Sequence, residues 1–120
     1  MPLRMLNMVK DAQIDGKPVM SIGKAVWRLT GELADWFNID AGRIKEGDRA
    51  DLVIIDPAQL DDRIYDYHEA MFRDVSRIVN RNEGTVPFII LNGKVAARNG
   101  VLQNSVGQNS EYEQFLPTKY

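Results

Sequence analysis

Cysteine is absent from this sequence. Without a thiol there is no disulfide, no thiol nucleophile and no thiolate metal site, a composition that suits a reducing compartment. Histidine is nearly absent too, with His68 as the single one. A catalytic zinc takes about three protein ligands and a water, so one imidazole falls short. No Ser or Thr has a histidine base at a useful spacing, which leaves a hydrolytic triad without support. No apolar run approaches the roughly 20 residues that cross a bilayer. The first ten residues, interrupted by Arg4, Asn7 and Lys10, are too short for a secretory signal. Charge of one sign is also missing: 15 basic and 17 acidic residues leave a net charge of −2. That balance gives no footprint for nucleic acid or an anionic membrane. The expectation is a cytoplasmic protein with no nucleic-acid partner and no membrane partner.

What is present is an ordinary globular composition, 44% hydrophobic and 27% charged over 120 residues. A chain of this length forms one domain and buries roughly two-thirds of its unfolded surface. Leu3, Met5, Leu6, Met8 and Val9 make an apolar stripe at helical spacing, ending near Asp15-Gly16. Its methionines read as core filler more than as a binding surface. Lys17-Pro18 breaks the chain, and Ser21 is a good N-cap for a helix over Ile22–Leu29. Thr30 reads as a second N-cap, opening a short helix over Gly31–Phe37 with Glu32 in its first turn. Ala25, Val26, Leu29, Leu33 and Phe37 share one side, and Trp27 and Trp36 add large packing area.

After Phe37 the character changes to turns around Asp40-Ala41-Gly42 and Glu46-Gly47-Asp48. Residues 51–56 then predict a strand, stopped by Pro57; its unbroken Leu52-Val53-Ile54-Ile55 core suggests that both faces are covered. Leu60, Ile64, Tyr67 and Met71 recur at threes and fours and predict a helix or helical loop over 61–72. Strands follow over 75–79 and 86–91, with a turn over 80–84 between them. Asn92-Gly93 is the strongest hairpin signal, since a type I′ turn takes two residues at positive φ. The return strand covers 94–98, Asn99-Gly100 turns again, and 101–103 makes a last short strand. Helices first and strands after is an α+β pattern.

The residues that tempt a chemical reading have plainer uses. His68 stands among Asp61, Asp62, Asp66, Glu69 and Asp74, a possible metal set. Interleaved Arg63 and Arg73 make a solvated polar face the better reading. Asp51 and Asp56 could suggest acid–base work, but they flank a strand and are expected to hold turns or caps. Arg73, Arg77 and Arg81 recur every four residues and could bind an anion; salt bridging to nearby acids is preferred. No strand–glycine–helix unit surrounds Gly84, Gly93 or Gly100, so they form no phosphate loop.

Two stretches carry a family resemblance. The run Ala25-Val26-Trp27-Arg28-Leu29-Thr30-Gly31-Glu32-Leu33-Ala34-Asp35-Trp36-Phe37 leads into Gly42-Arg43-Ile44-Lys45-Glu46-Gly47-Asp48-Arg49-Ala50-Asp51-Leu52-Val53-Ile54-Ile55-Asp56-Pro57. It resembles the end of the urease-related amidohydrolases: dihydroorotases, hydantoinases and, most closely, the D-aminoacylases (N-acyl-D-amino-acid deacylases). Val86-Pro87-Phe88-Ile89-Ile90-Leu91-Asn92-Gly93-Lys94-Val95, followed by Asn99-Gly100, is similar to that family's closing element. The two pieces stand in the family's order.

The resemblance implies the terminal helices of a TIM barrel over 1–38 and strands of a small composite β-sandwich over 39–103. A helical insertion near 58–74 and a polar surface tail over 104–120 complete the expected division. It also implies a parent enzyme that hydrolyses amide bonds with zinc or another divalent metal. A TIM barrel takes about 250 residues, and the family's His-x-His element is missing here. No catalytic, cofactor-binding or metal residue carries over, and no cofactor is expected in this chain. The expected partner is the missing N-terminal barrel portion. The alternative is a stand-alone interaction module that self-associates to hide the apolar faces around Trp27 and Trp36 and its open strand edges.

Overall fold

The computed structural model describes residues 2–80, 84–108, 110–112 and 114–119. Helix α1 occupies Pro2–Ile14, opening on a proline, whose missing N–H costs nothing in a first turn. Its stripe buries Leu6 and Val9, with Leu3 and Met5 half-buried beside them, while Met8 is exposed. Helix α2 spans Ile22–Leu29, and the Ser21 side chain accepts from the backbone N–H of Lys24 as a cap should. Helix α3 spans Gly31–Phe37 and has no side-chain cap. The cap expected of Thr30 fails because its hydroxyl donates backwards, to the Val26 carbonyl at 2.8 Å. Threonine near a helix end has that i−4 carbonyl as an alternative partner. Helix α3 stops at Asn38, whose left-handed backbone sends its N–H to the Ala34 and Asp35 carbonyls.

The loop after α3 returns beneath the α2–α3 junction. Gly42 lies there at φ +76, and a Cβ on it would stand 2.6 Å from the Thr30 carbonyl oxygen. Only glycine fits both the dihedral and the gap.

Strand β1 is Leu52–Ile54, shorter than the strand expected over 51–56. It is an edge strand in a four-stranded antiparallel sheet, paired with β4 (Phe88–Leu91), which is followed by β5 (Lys94–Arg98) and β6 (Val101–Leu102). The expectation that both its faces are covered is wrong: Val53 and Ile54 are exposed. Within the apolar run only Leu52 and Ile55 are half-buried, the latter against the core. Strands β4 (Phe88–Leu91) and β5 (Lys94–Arg98) meet at Asn92-Gly93, at φ 50 and 76, as that dipeptide predicts. Asn99-Gly100 turns at φ 49 and 81 into β6, Val101–Leu102.

The helix expected over 61–72 is a correction. A 3₁₀ turn at Asp62–Tyr65, capped by the Asp61 carboxylate, gives way to strand β2 at Tyr67–Phe72. Strand β3 follows at Val75–Asn80, and the pair forms a separate two-stranded antiparallel sheet. A spacing of four is common to both periods: Tyr67 and Met71 share a face in a helix and also in a strand. The β-branched Val75, Ile78 and Val79 favour the pleated partner. Part of the turn expected over 80–84 lies at 81–83, outside the described residues.

The core is where α1 and α2 meet the segment after β1. Leu6, Val9, Ala25, Leu60 and Ile64 are buried together, with Met20, Leu29 and Ile55 at the margin. The Lys10 ammonium ties the layers by donating to the Pro57 and Leu60 carbonyls. The C-terminal tail is less superficial than expected. Tyr112 is buried, its hydroxyl 2.6 Å from Ser105 Oγ and its carbonyl accepting from Arg49. Thr118 bridges to Ile39, and the Lys119 N–H donates to the Asn38 carbonyl at 2.7 Å.

The architecture is α+β, yet it does not close on itself. The chain exposes 9271 Å² at a mass of 13.6 kDa, where a compact monomer of that mass exposes roughly 6,600 Å². The radius of gyration is 16.2 Å, against about 13.6 Å for a compact chain of this length.

Candidate functional site

Polar chemistry does not gather anywhere on the described surface. Strand β2 places His68 opposite Val79 and exposes it. Strand alternation sends Glu69 to the other face from His68, where its carboxylate accepts from the Ser76 hydroxyl. Asp61 is taken up by Arg63: Nε donates at 2.9 Å, and the guanidinium holds the Asp61 carboxyl below the usual carboxylate range. Arg43 does the same for Asp35. Asp56 caps the 3₁₀ turn at Pro57–Gln59 through the Ala58 N–H, and Asp51 accepts from the Asn92 N–H at 2.8 Å while pairing with Arg49. Both are the cap and turn roles read from the sequence. Arg73 sits in the β2–β3 turn at φ 55, and Arg77 is paired in register with Ala70. Arg81 lies outside the described residues. Arg73 and Arg77 thus stand on a turn and a strand, while the anion site that the spacing could have made would have included Arg81.

These donors do not fit a catalytic zinc or other divalent metal. Among the described residues no three His, Asp or Glu side chains converge on one point. The single imidazole and its neighbouring carboxylate leave β2 on opposite faces. No helix among the described residues is long and apolar enough to cross a membrane.

The distinctive surface is apolar. On α2 and α3, Ile22, Val26, Trp27, Leu33, Trp36 and Phe37 are all exposed. Trp36 is 78% exposed, with its ring 5.0 Å from that of Phe37, and the Lys24 ammonium lies 4.1 Å above the Trp27 ring. Of the side read from the sequence as shared by Ala25, Val26, Leu29, Leu33 and Phe37, Ala25 and Leu29 pack on the core, while Val26, Leu33 and Phe37 are exposed. An Ala25 side chain with no exposure at all shows which face of α2 the internal core uses. The β2–β3 hairpin adds a second uncovered area with Tyr67, Met71 and Ile78. The sequence reading missed that area by giving residues 61–72 a helical form, while the strand it placed over 75–79 is β3. The excess over a compact monomer, roughly 2,700 Å², is the size of one side of a large obligate interface.

Comparison with known proteins gives this surface a context. No family model matches the chain, and no solved structure matches it. Uncharacterized proteins of Mycobacterium tuberculosis and Mycobacterium bovis are each 42% identical to it over 121 residues. The match covers 95% of this chain and 20% of theirs. The chain thus spans about a fifth of the length of the curated relatives it matches.

Proposed function

We propose that this chain is a non-catalytic structural portion of a larger amidohydrolase-like protein. In this reading, α2 and α3 close the wall of a TIM barrel, and β1 with β4–β6 supplies part of a composite β-sandwich. The rest of the parent would carry the barrel, the metal and the hydrolysis of a C–N amide bond, as in N-acyl-D-amino acids or cyclic amides. The metal-activated water belongs to that portion, not to the residues of this chain. The parent's place is the cytoplasm, which a cysteine-free chain suits.

The observation that carries the reading is the uncovered α2–α3 face, with Trp36 its most exposed side chain. Burial of such a face contributes about 25 cal/mol per Å², which makes leaving it in water costly. The relatives' fivefold greater length supports a covering partner, and the ordered motifs at 25–57 and 86–100 support the amidohydrolase character. The test uses the Mycobacterium tuberculosis relative with its matched segment deleted, and this chain supplied as a separate polypeptide. Co-purification together with restored, chelator-sensitive hydrolysis of N-acyl-D-amino acids is the expected result. Loss of both with Trp36→Lys is expected too. Full amide hydrolysis by the deleted relative alone would refute a structural role for the segment.

A further inference from the structure

Two Asn-Gly turns lie in the four-stranded sheet, and their amides are held differently. Both are two-residue turns at positive φ, Asn92-Gly93 between β4 and β5 and Asn99-Gly100 between β5 and β6, and all four residues are exposed. At the first turn the Gly93 N–H donates to the Ala50 carbonyl at 2.9 Å. The Asn92 carboxamide donates through Nδ2 to the Glu111 carbonyl at 2.9 Å, and the Asn92 N–H donates to the Asp51 carboxylate. The segment before β1 and the C-terminal tail thus clamp that turn. At the second turn the Asn99 N–H donates to the Pro87 carbonyl at 2.8 Å. Among the described residues, neither the Gly100 N–H nor the Asn99 carboxamide makes a hydrogen bond, and nothing stands within 4 Å of where a Gly100 Cβ would be.

We propose that Asn99 is a site of spontaneous amide-to-acid conversion, and that the fold protects Asn92 from the same reaction. The Gly100 nitrogen attacks Asn99 Cγ. A bond forms between that nitrogen and Cγ, the Cγ–Nδ2 bond breaks, and the Gly100 proton departs with the side-chain nitrogen as ammonia. Solvent water then adds to one of the two carbonyls of the resulting succinimide ring. The product is aspartate or isoaspartate at 99, with no change of oxidation state. Glycine suits the attack because no Cβ shields its nitrogen. At Asn99-Gly100 the attacking nitrogen and the leaving amide give up no hydrogen bond. At Asn92-Gly93 the attack breaks the bonds to Ala50 and Glu111, and two such losses slow the step about tenfold or more. Exposure does not separate the two sites; the hydrogen bonds do. The product matters to the sheet, because isoaspartate adds a methylene to the backbone of a turn whose geometry sets the strand pairing. The Ala97–Leu102 and Arg98–Val101 pairs of edge strand β6 depend on that turn. The reaction rests on the turn alone and not on the proposed structural role.

The test ages the folded 120-residue chain in mildly alkaline buffer and maps its peptides by mass spectrometry. Conversion at Asn99 should run at least about tenfold faster than at Asn92, a difference of about 1.4 kcal/mol in barrier. In urea, with both turns unfolded, the two sites should react at rates within about threefold of each other. Enzymatic methylation specific for isoaspartate should label the aged chain. Asn99→Gln, whose longer side chain closes no five-membered ring, should remove most of that label, and Asn92→Gln should not. In the converted fraction the Gln103 N–H, bonded to the Ala96 carbonyl at 2.9 Å, should exchange with solvent several-fold faster. Equal rates at the two asparagines in the folded chain, no conversion at Asn99, or the same ratio in buffer and in urea would overturn the proposal. Unchanged Gln103 exchange would overturn its consequence for β6.

Discussion

Substituting Gly42 by alanine should unfold the α2–α3 junction far more easily than the same change at Gly47. Both glycines have positive φ, +76 and +88, so both substitutions carry the left-handed penalty. For an alanine that is about 1–2 kcal/mol, partly offset by the roughly 0.4–1 kcal/mol gained from a stiffer unfolded chain. At Gly47 nothing lies within 4 Å of the new Cβ, and the net cost stops there, at about 1 kcal/mol. At Gly42 the Cβ meets the Thr30 carbonyl oxygen at 2.6 Å, its carbon at 2.7 Å and the Gly31 nitrogen at 3.0 Å. Those neighbours are backbone atoms, not a side chain that can swing away. Separating them adds overpacking strain of about 1–3 kcal/mol. The total for Gly42→Ala is then about 2–4 kcal/mol, or roughly 10 °C in Tm against about 3 °C for Gly47→Ala. Thermal and urea unfolding followed by far-UV circular dichroism measures both. Equal midpoints for the two variants would refute the argument from close approach.

Tyr112→Phe should cost about 1 kcal/mol in urea unfolding, because the buried ring keeps its place while Ser105 loses its hydroxyl partner. Lys10→Met should lower stability by about 1–2 kcal/mol, since the Pro57 and Leu60 carbonyls lose the ammonium that joins α1 to the segment after β1. Asp61 and Asp35 should titrate below the unperturbed value of about 3.9, each held down by a guanidinium, Arg63 and Arg43 respectively. Their folded pKa values lie below the unfolded ones, so their contribution is present above about pH 4 and is lost as pH falls through the depressed folded values. Carboxyl chemical shifts on acid titration check this, and Arg63→Ala should move the Asp61 midpoint upward.

Local chemistry made much of the fold legible. Ser21 announces α2 because a hydroxyl before an apolar stripe satisfies an orphan N–H, and Asn92-Gly93 and Asn99-Gly100 announce turns because few other residues accept positive φ. Where two structures share a spacing, the reading failed. Leu60, Ile64, Tyr67 and Met71 satisfy a helical repeat, while Tyr67 and Met71 also satisfy a strand, and cross-strand pairing with residues 75–80 decides between them. Thr30 failed for a related reason: its hydroxyl had two backbone partners within reach, and the carbonyl of Val26 won. Covering layers were also misjudged, since the run at 52–55 says that β1 is apolar without saying what lies against it. Asp51 and Asp56 were read as turn and cap residues, as the structure has them, whereas the cap and ion pair made by Asp61 were not read from the sequence. The uncovered apolar surface was foreseen at Trp27 and Trp36, and its extension onto the hairpin was not.

The most direct measurement is the fluorescence of Trp27 and Trp36, the only tryptophans of the chain. In isolation, Trp36 at 78% exposure should emit to the red and be quenched readily by acrylamide. Adding the Mycobacterium tuberculosis relative that lacks the matched segment should shift the emission to the blue and cut the quenching several-fold, with Trp36→Phe abolishing most of the change. A complex that forms while Trp36 stays open to quencher, or no complex at all, would contradict the account.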